Sequence, residues 1–347
     1  MLQEPIEPAW LDAFESVLRR CAVEPGDTVA VLAESQSRPV LVQLAQLAAA
    51  RVGARVFTLT LPTPFSSATP PARSTGASNA LQNIAPVVSA LAASTLVMDC
   101  TVEGLMHAPE LPAILRGGAR VVHASNEHPE TLARLAPSGD GSLELRVKAH
   151  VKRLRAARSM RVTSAAGTDL SIALAGAVTG GNWGYTTRPG TMTHWPGGLV
   201  LAFPAASSVN GRLVLAAGDV NLTFKRYIEQ PITLAIEADH ITRIDGTGVD
   251  ADLMRSYIAA WGDRGAYAVS HVGYGLNELA RWDSMALHDK RDFNGTELRA
   301  FAGNFLYSTG ANEVAGRHTR GHFDLPLRHC TVELDGVAVV RAGEVLA

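Results

Sequence analysis

An open parallel α/β sheet followed by a β-rich α+β unit is the architecture predicted for this chain of 347 residues. Three observations predict it. Two strand-helix-strand patterns recur early in the chain, which imply parallel strands joined by right-handed crossovers. After a basic segment around Lys148 to Arg158 the texture changes to short β-like runs divided by Gly, Pro, Asn and Asp. The chain then closes on a hairpin, Thr331 to Leu334 and Val337 to Arg341, around Asp335-Gly336.

Asp27 to Ala33 (D-T-V-A-V-L-A) is a short apolar run after Pro25-Gly26, suited to a buried strand. A helix is expected from near Ser37, with Pro39 in its first turn, an apolar stripe through Val40, Leu41, Leu44, Leu47 and Ala48, and a stop before Gly53. Arg55 to Leu61 reads as the next strand. The second unit runs through Thr95 to Asp99 as strand, Ala108 to Leu115 as helix, Gly117-Gly118 as its stop and Arg120 to His123 as strand. Between the units, Leu61 to Asn79 is rich in Pro, Ser, Thr and Ala and reads as a long loop. The turn Glu34-Ser35-Gln36-Ser37 lacks the glycines that let a backbone approach a pyrophosphate, so nucleotide binding is not expected.

Further on, Arg161 to Ala173, Gly198 to Phe203, Gly211 to Ala216, Val220 to Phe224, Ile232 to Ala238 and His240 to Ile244 read as strands. Leu253 to Trp261 reads as a helix and Ala266 to Ser270 as a strand that ends just before His271. The expected division is an α/β unit over residues 1–159 and a β-rich unit over 160–347.

With 31 basic and 33 acidic residues the net charge is -2, so no general positive field exists to attract nucleic acid or an acidic membrane surface. The basic cluster at Lys148, Lys152, Arg153, Arg155, Arg158 and Arg161 is interleaved with Ala149, Val151, Leu154 and Ala156, which reads as the solvated face of a helix or a subunit contact. Cys21, Cys100 and Cys330 are odd in number and far apart, so neither a disulfide framework nor a thiolate zinc site follows. The acidic, proline-broken start Met-Leu-Gln-Glu-Pro-Ile-Glu-Pro is unlike a secretory signal, and no run reaches the length of a membrane helix. A cytoplasmic protein is expected.

The chemistry concentrates in the second half. His322-Phe323-Asp324 places an imidazole and a carboxylate at i and i+2, on one face if the segment is extended. Alone it fits any divalent metal, or a surface histidine beside its own aspartate. His271, after an apolar run and before a tight turn expected at Gly273-x-Gly275, supplies a further imidazole, and together the three make a 2-His-1-carboxylate set of the kind that holds mononuclear iron(II). His194, in His-Trp-Pro-Gly-Gly, lies near Trp183, Tyr185 and Trp195 in a chain with only 6 % aromatic residues. Those rings either stack on an aromatic ligand or plug the end of the sheet. Met106 and His107 follow a strand of the second β-α-β unit, where open α/β sheets place ligand-contacting loops.

The run Val269-Ser-His-Val-Gly-Tyr-Gly-Leu-Asn277, then Phe305-Leu-Tyr-Ser-Thr-Gly-Ala-Asn312 and His322-Phe-Asp324, resembles the C-terminal half of the aminopeptidase T-like metallopeptidases. The resemblance extends over most of residues 160–335 and more loosely over the N-terminal unit, and it implies an aminopeptidase T-like fold. The peptidase pattern has a glutamate in a Pro-x-Gly-Glu-Val turn, where this chain has Leu199, and another where this chain has His271; a peptidase histidine falls at about Leu306. Only His322 and Asp324 match. That departure resembles the 2,5-dihydroxypyridine 5,6-dioxygenases, which share the fold and use a single iron(II).

The resemblance implies an iron(II)-dependent, extradiol-type dioxygenase of nicotinate or nicotine breakdown, converting 2,5-dihydroxypyridine and dioxygen to N-formylmaleamate. On that reading His271, His322 and Asp324 hold one iron per subunit, and the N-heterocycle binds against Met106, Trp183 and Trp195. His194 or His107 moves the hydroxyl proton, since imidazole can both take and return a proton near neutrality. Ser308 and Asn312 are candidate polar contacts, and Arg317, His318 and Arg320 candidates to orient the loop or neutralise a substrate oxygen. A homo-oligomer is expected. The alternatives are a metallo-aminopeptidase with a reduced metal site and a non-catalytic relative that binds a small molecule.

Overall fold

The computed structural model describes residues 5–64 and 78–346. Most of the stretch from Leu61 to Asn79, expected as a long loop, lies outside the described residues. The chain opens with α1 (Pro8–Arg20), which begins on a proline and buries Trp10, Phe14, Val17 and Leu18 at helical spacing. The first expected unit forms as β1 (Thr28–Glu34), α2 (Pro39–Arg51) and β2 (Arg55–Leu61). α3 (Ala85–Ala92) precedes the second, which forms as β3 (Leu96–Asp99), α4 (Leu111–Arg116) and β4 (Arg120–His123). The helix α4 starts later than Ala108 because Pro109 disfavours helical backbone in the residue before it.

All these strands are parallel, in the order β2-β1-β3-β4. Val29 and Val31 of β1 pack under α1 and α2, while Ala30 and Leu32 face the residues of α3 and α4 on the other side. Covering on both faces explains why β1 reads as a continuous apolar run rather than an alternating one. Two more helices follow, α5 (Pro129–Leu135) and α6 (Ser142–Ala156).

The β-rich half continues with β5 (Ser159–Ser164), β6 (Asp169–Ala173), β7 (Val178–Asn182), β8 (Met192–His194), β9 (Leu199–Phe203), β10 (Val209–Leu215), β11 (Val220–Asn221), β12 (Arg226–Tyr227), β13 (Ile232–Glu237) and β14 (His240–Asp245). It ends with α7 (Val249–Ala260), β15 (Val269–Gly275), α8 (Thr296–Ala300), β16 (Phe305–Thr309), β17 (Phe323–Leu327), β18 (Cys330–Leu334), β19 (Val337–Arg341) and β20 (Glu344–Val345). One sheet has the order β14-β13-β10-β6-β5-β18-β19-β20, and a second, β17-β16-β15-β9-β7, stands against it over a shared apolar core.

Three elements depart from expectation. Arg161 to Ala173 is two strands, β5 and β6, folded into a hairpin rather than one run. Gly273 and Gly275 are not a turn but the end of β15, in the middle of its sheet. A Cβ at Gly273 would lie 2.1 Å from the Val200 carbonyl oxygen, so the glycine is there for close strand approach. Finally, the packing does not divide at residue 159. Leu143, Val147 and Leu154 of α6 belong to the core of the β-rich half, whereas β8 returns to the N-terminal half and pairs in parallel with β4 as the fifth strand of that sheet.

Candidate active site

A cavity of about 80 Å³ opens between the two halves. His271, His322, Asp324, Arg299, Leu199 and Leu201 line it from the antiparallel sheet and α8, and Glu103, Met106, His107 and His194 from the parallel sheet. Its place at the C-terminal ends of β3, β4 and β8 is the usual one for a ligand on an open parallel sheet.

His271 sits inside β15 rather than at its end. The register between β15 and β16 shifts between Val269 and Val272, a bulge that leaves Ser270 and His271 both buried. Ser270 Oγ donates its one proton to the Ala311 carbonyl at 2.5 Å and lies 3.0 Å from His271 Nδ1. The hydroxyl can therefore only accept from the ring, which makes His271 the Nδ1–H tautomer and leaves the Nε2 lone pair available. Burial first, and the neighbouring His322, pull the His271 pKa down to about 4, against the opposing pull of Asp324. The ring is neutral at pH 7.

Asp324 lies in β17 opposite Ser308 of β16, and Ser308 Oγ donates to Asp324 Oδ1. Oδ2 accepts from Arg299 Nε at 2.6 Å and stands 3.2 Å from His322 Nε2, while Oδ1 stands 3.8 Å from His271 Nε2. Burial alone would raise the Asp324 pKa, but the Arg299 guanidinium and the two imidazoles outweigh it and hold the carboxyl well below its usual range. The His322 carbonyl accepts from Thr223 Oγ1 at 3.0 Å and Tyr257 OH at 3.2 Å, which anchors the start of β17.

Two imidazoles and one ionised carboxylate facing a single cavity are the donor types of a divalent-metal site. Among the described residues no three His, Cys, Asp or Glu side chains stand in an arrangement that could hold a metal ion. Both Asp324 oxygens are engaged, by Arg299 and Ser308, so the set fits a metal in donor type and shared cavity but does not stand in a ligating geometry.

Across the cavity, the His107 ring lies 5.8 Å from that of His322, centroid to centroid. His194 Nε2 is 3.3 Å from Met106 Sδ. Burial, reinforced by neighbouring imidazoles, takes the His107 pKa down to about 3 and the His194 pKa well below its ordinary value. Both rings are neutral at pH 7.

Four residues expected at the ligand do not line this cavity. Trp195 is buried in the N-terminal core, edge-on to Phe14 at 4.9 Å, and Trp183 lies under Lys148 Nζ at 5.1 Å, packed against the β-rich core. Neither lines the cavity; both stand at the join between the two cores, beside Tyr185 at a separate small pocket. Asn312 donates to the Pro204 carbonyl at 2.9 Å and accepts from Ala315 N, so it caps a turn. Ser308 meets Asp324 and is not part of the cavity wall. Arg317 pairs with Asp239 at 2.8 Å and with the Val269 carbonyl, an architectural position. Arg299, Glu103 and Leu201 are lining residues that sequence reasoning did not single out, since none stands beside a histidine in the sequence.

Residues 9–347 match the 2,5-dihydroxypyridine 5,6-dioxygenase family. The 2,5-dihydroxypyridine 5,6-dioxygenase of Pseudomonas putida is 41% identical, over 99% of this chain and 98% of its own length. A solved structure of 2,5-dihydroxypyridine dioxygenase from Pseudomonas putida superposes with a TM-score of 0.91 at 39% identity, covering 99% of each chain. AmpT from Thermus thermophilus superposes with a TM-score of 0.62 at 15% identity over 98% of this chain and 99% of that one, which shows the aminopeptidase T-like fold. The expected architecture is thus the observed one, and the chain belongs to the 2,5-dihydroxypyridine 5,6-dioxygenase family.

Proposed function

We propose that this enzyme opens the ring of 2,5-dihydroxypyridine with dioxygen, placing both oxygen atoms in N-formylmaleamate, and that one iron(II) per subunit is held by His271, His322 and Asp324. The observation that carries this reading is the convergence of two imidazole Nε2 atoms on one carboxylate, at 3.2 and 3.8 Å, at a cavity whose opposite wall carries two further neutral histidines. Iron(II), when bound, supplies open adjacent positions for substrate and dioxygen and the one-electron chemistry that dioxygen requires.

The chain's own residues do the rest. Ser270 keeps His271 in the tautomer that presents Nε2. Arg299 and Ser308 hold Asp324 ionised and oriented, so that the triad carries one negative charge against a divalent ion. Met106, Leu199 and Leu201 give the ring an apolar seat and exclude water. His194 or His107, neutral before substrate arrives, takes the hydroxyl proton and returns it to the opened product. Leu199 and His271 stand where the peptidase pattern carries glutamates, which argues against a two-metal peptidase. The reading includes a cytoplasmic homo-oligomer acting in bacterial nicotinate or nicotine breakdown. Among the described residues no helix is long and apolar enough to cross a membrane.

Anaerobic reconstitution with iron(II), followed by oxygen uptake with 2,5-dihydroxypyridine and mass analysis of the product, tests it. One dioxygen consumed per ring opened is expected. No uptake, together with amino-acid release from peptides on adding cobalt or zinc, would overturn it.

A further inference from the structure

Asp99, His123 and His194 form one row across three adjacent parallel strands. Asp99 is the register partner of His123, and His123 is the register partner of His194. Partners on neighbouring strands present their side chains to the same face, so the row is a direct product of sheet geometry. Only its last member reaches the cavity.

Asp99 is fully buried, yet its carboxylate accepts from Thr101 N (3.0 Å), Thr101 Oγ1 (2.6 Å), Leu105 N (3.0 Å), Ser125 Oγ (3.2 Å) and His123 Nδ1 (2.7 Å). A carboxylate with that many donors is an ionised hub. On one side it gathers the loop that leads directly to Met106 and His107. Gly104 turns this loop at φ +82°, where a Cβ would stand 3.1 Å from Ser125 Oγ. On the other side it fixes the ring of His123, which stacks on His194 with centroids 4.7 Å apart and 29° between planes. With Nδ1–H committed to Asp99, His123 Nε2 has no hydrogen-bond partner among the described residues although it is buried.

We propose that Asp99 is a positioning residue for both histidines of the upper wall, acting on His107 through the Thr101–Leu105 loop and on His194 through the His123 ring. The proposal rests on the reading that one of these two histidines moves the substrate proton. It assigns to one buried carboxylate, out of reach of substrate, the relative placement of two groups that reach the cavity from different strands.

The test uses the full chain loaded with iron(II), as Asp99→Asn and as His123→Phe. An amide offers one acceptor oxygen to five donors, and phenylalanine keeps a flat ring against His194 but loses the Nδ1 donor. Expected in both is a fall in kcat of about 10–100-fold, the scale on which small misplacements act, with KM and iron per subunit held within about threefold. Specific activity per iron-loaded, folded subunit equal to wild type would overturn the proposal, because a merely structural role lowers yield and Tm without touching kcat. If Asp99→Asn does not fold, His123→Phe decides.

Independently of turnover, in iron-free, 15N-histidine-labelled protein the ring resonances of both His107 and His194 should shift in Asp99→Asn, and those of His194 in His123→Phe. Wild-type His123 should appear as the Nδ1–H tautomer. An Nε2–H tautomer for His123 would sink the proposal even if neither variant folds, whereas failure of wild type to open the ring would count only against the reaction.

Discussion

The two walls of the cavity solve different electrostatic problems. The lower wall, on β15 and β17, gathers charge: an ionised Asp324 lies between two imidazoles and is clamped by Arg299 at 2.6 Å and by Ser308. The upper wall, on β8 and the loop after β3, sets two neutral imidazoles, His107 and His194, beside the Glu103 side chain, while the carboxylate that organises them, Asp99, is withdrawn behind His123. A negative group in direct reach favours a cation, whereas neutral imidazoles leave a substrate free to lose and regain a proton. The same residue types thus serve two purposes according to how close the carboxylate stands.

The sharpest way to break this contrast is to remove one group from each wall. His271→Ala, His322→Ala or Asp324→Ala should abolish both iron binding and turnover, a loss of roughly a thousandfold or more, read as iron per subunit and oxygen uptake. Retained iron and activity in His271→Ala would remove it from the metal set. His194→Ala should leave iron content unchanged while lowering kcat by about 10²–10³, within the range of general acid-base catalysis. If it lost iron as well, the division between the walls would collapse.

A smaller effect is expected behind the lower wall. Ser308→Ala removes one donor from Asp324 and should weaken iron binding by about tenfold, the lower end of what lost outer contacts cost a metal site, measured by competition with a chelator. Smallest of all, Trp183→Phe should leave KM for 2,5-dihydroxypyridine within about twofold of wild type, since substitutions outside a site act mainly on stability. A tenfold rise in KM would restore Trp183 to the binding surface.

Much of the lower wall was legible because its signals are local. His322 and Asp324 are two residues apart on an extended segment, and the β-α-β units announce themselves through Pro39 at a helix start and glycines after helix ends. Gly273 and Gly275 misled for a physical reason: glycine marks turns, but it also marks places where backbones press together, and spacing alone cannot separate the two. Scarcity of aromatic rings drew attention to Trp183 and Trp195, whose bulk is spent on the seam between two cores. The row Asp99, His123, His194 was beyond reach because it exists only once strand register is known; His123 and His194 are far apart in sequence and direct neighbours in the sheet.

The three residues of β8 also bear on how the molecule comes apart. Residues 1–159 alone would expose β4, with Arg120 to His123 offering unpaired backbone to any passing strand, an open edge of the kind that promotes aggregation. The remainder, 160–347, would carry an orphaned segment and leave its sheet without the packing of α6. Neither half is a self-sufficient folding unit. Unfolding should therefore be one cooperative transition, and chimaeras that exchange halves with relatives should stay folded only if the crossover points carry α6 with the β-rich half and β8 with the parallel sheet.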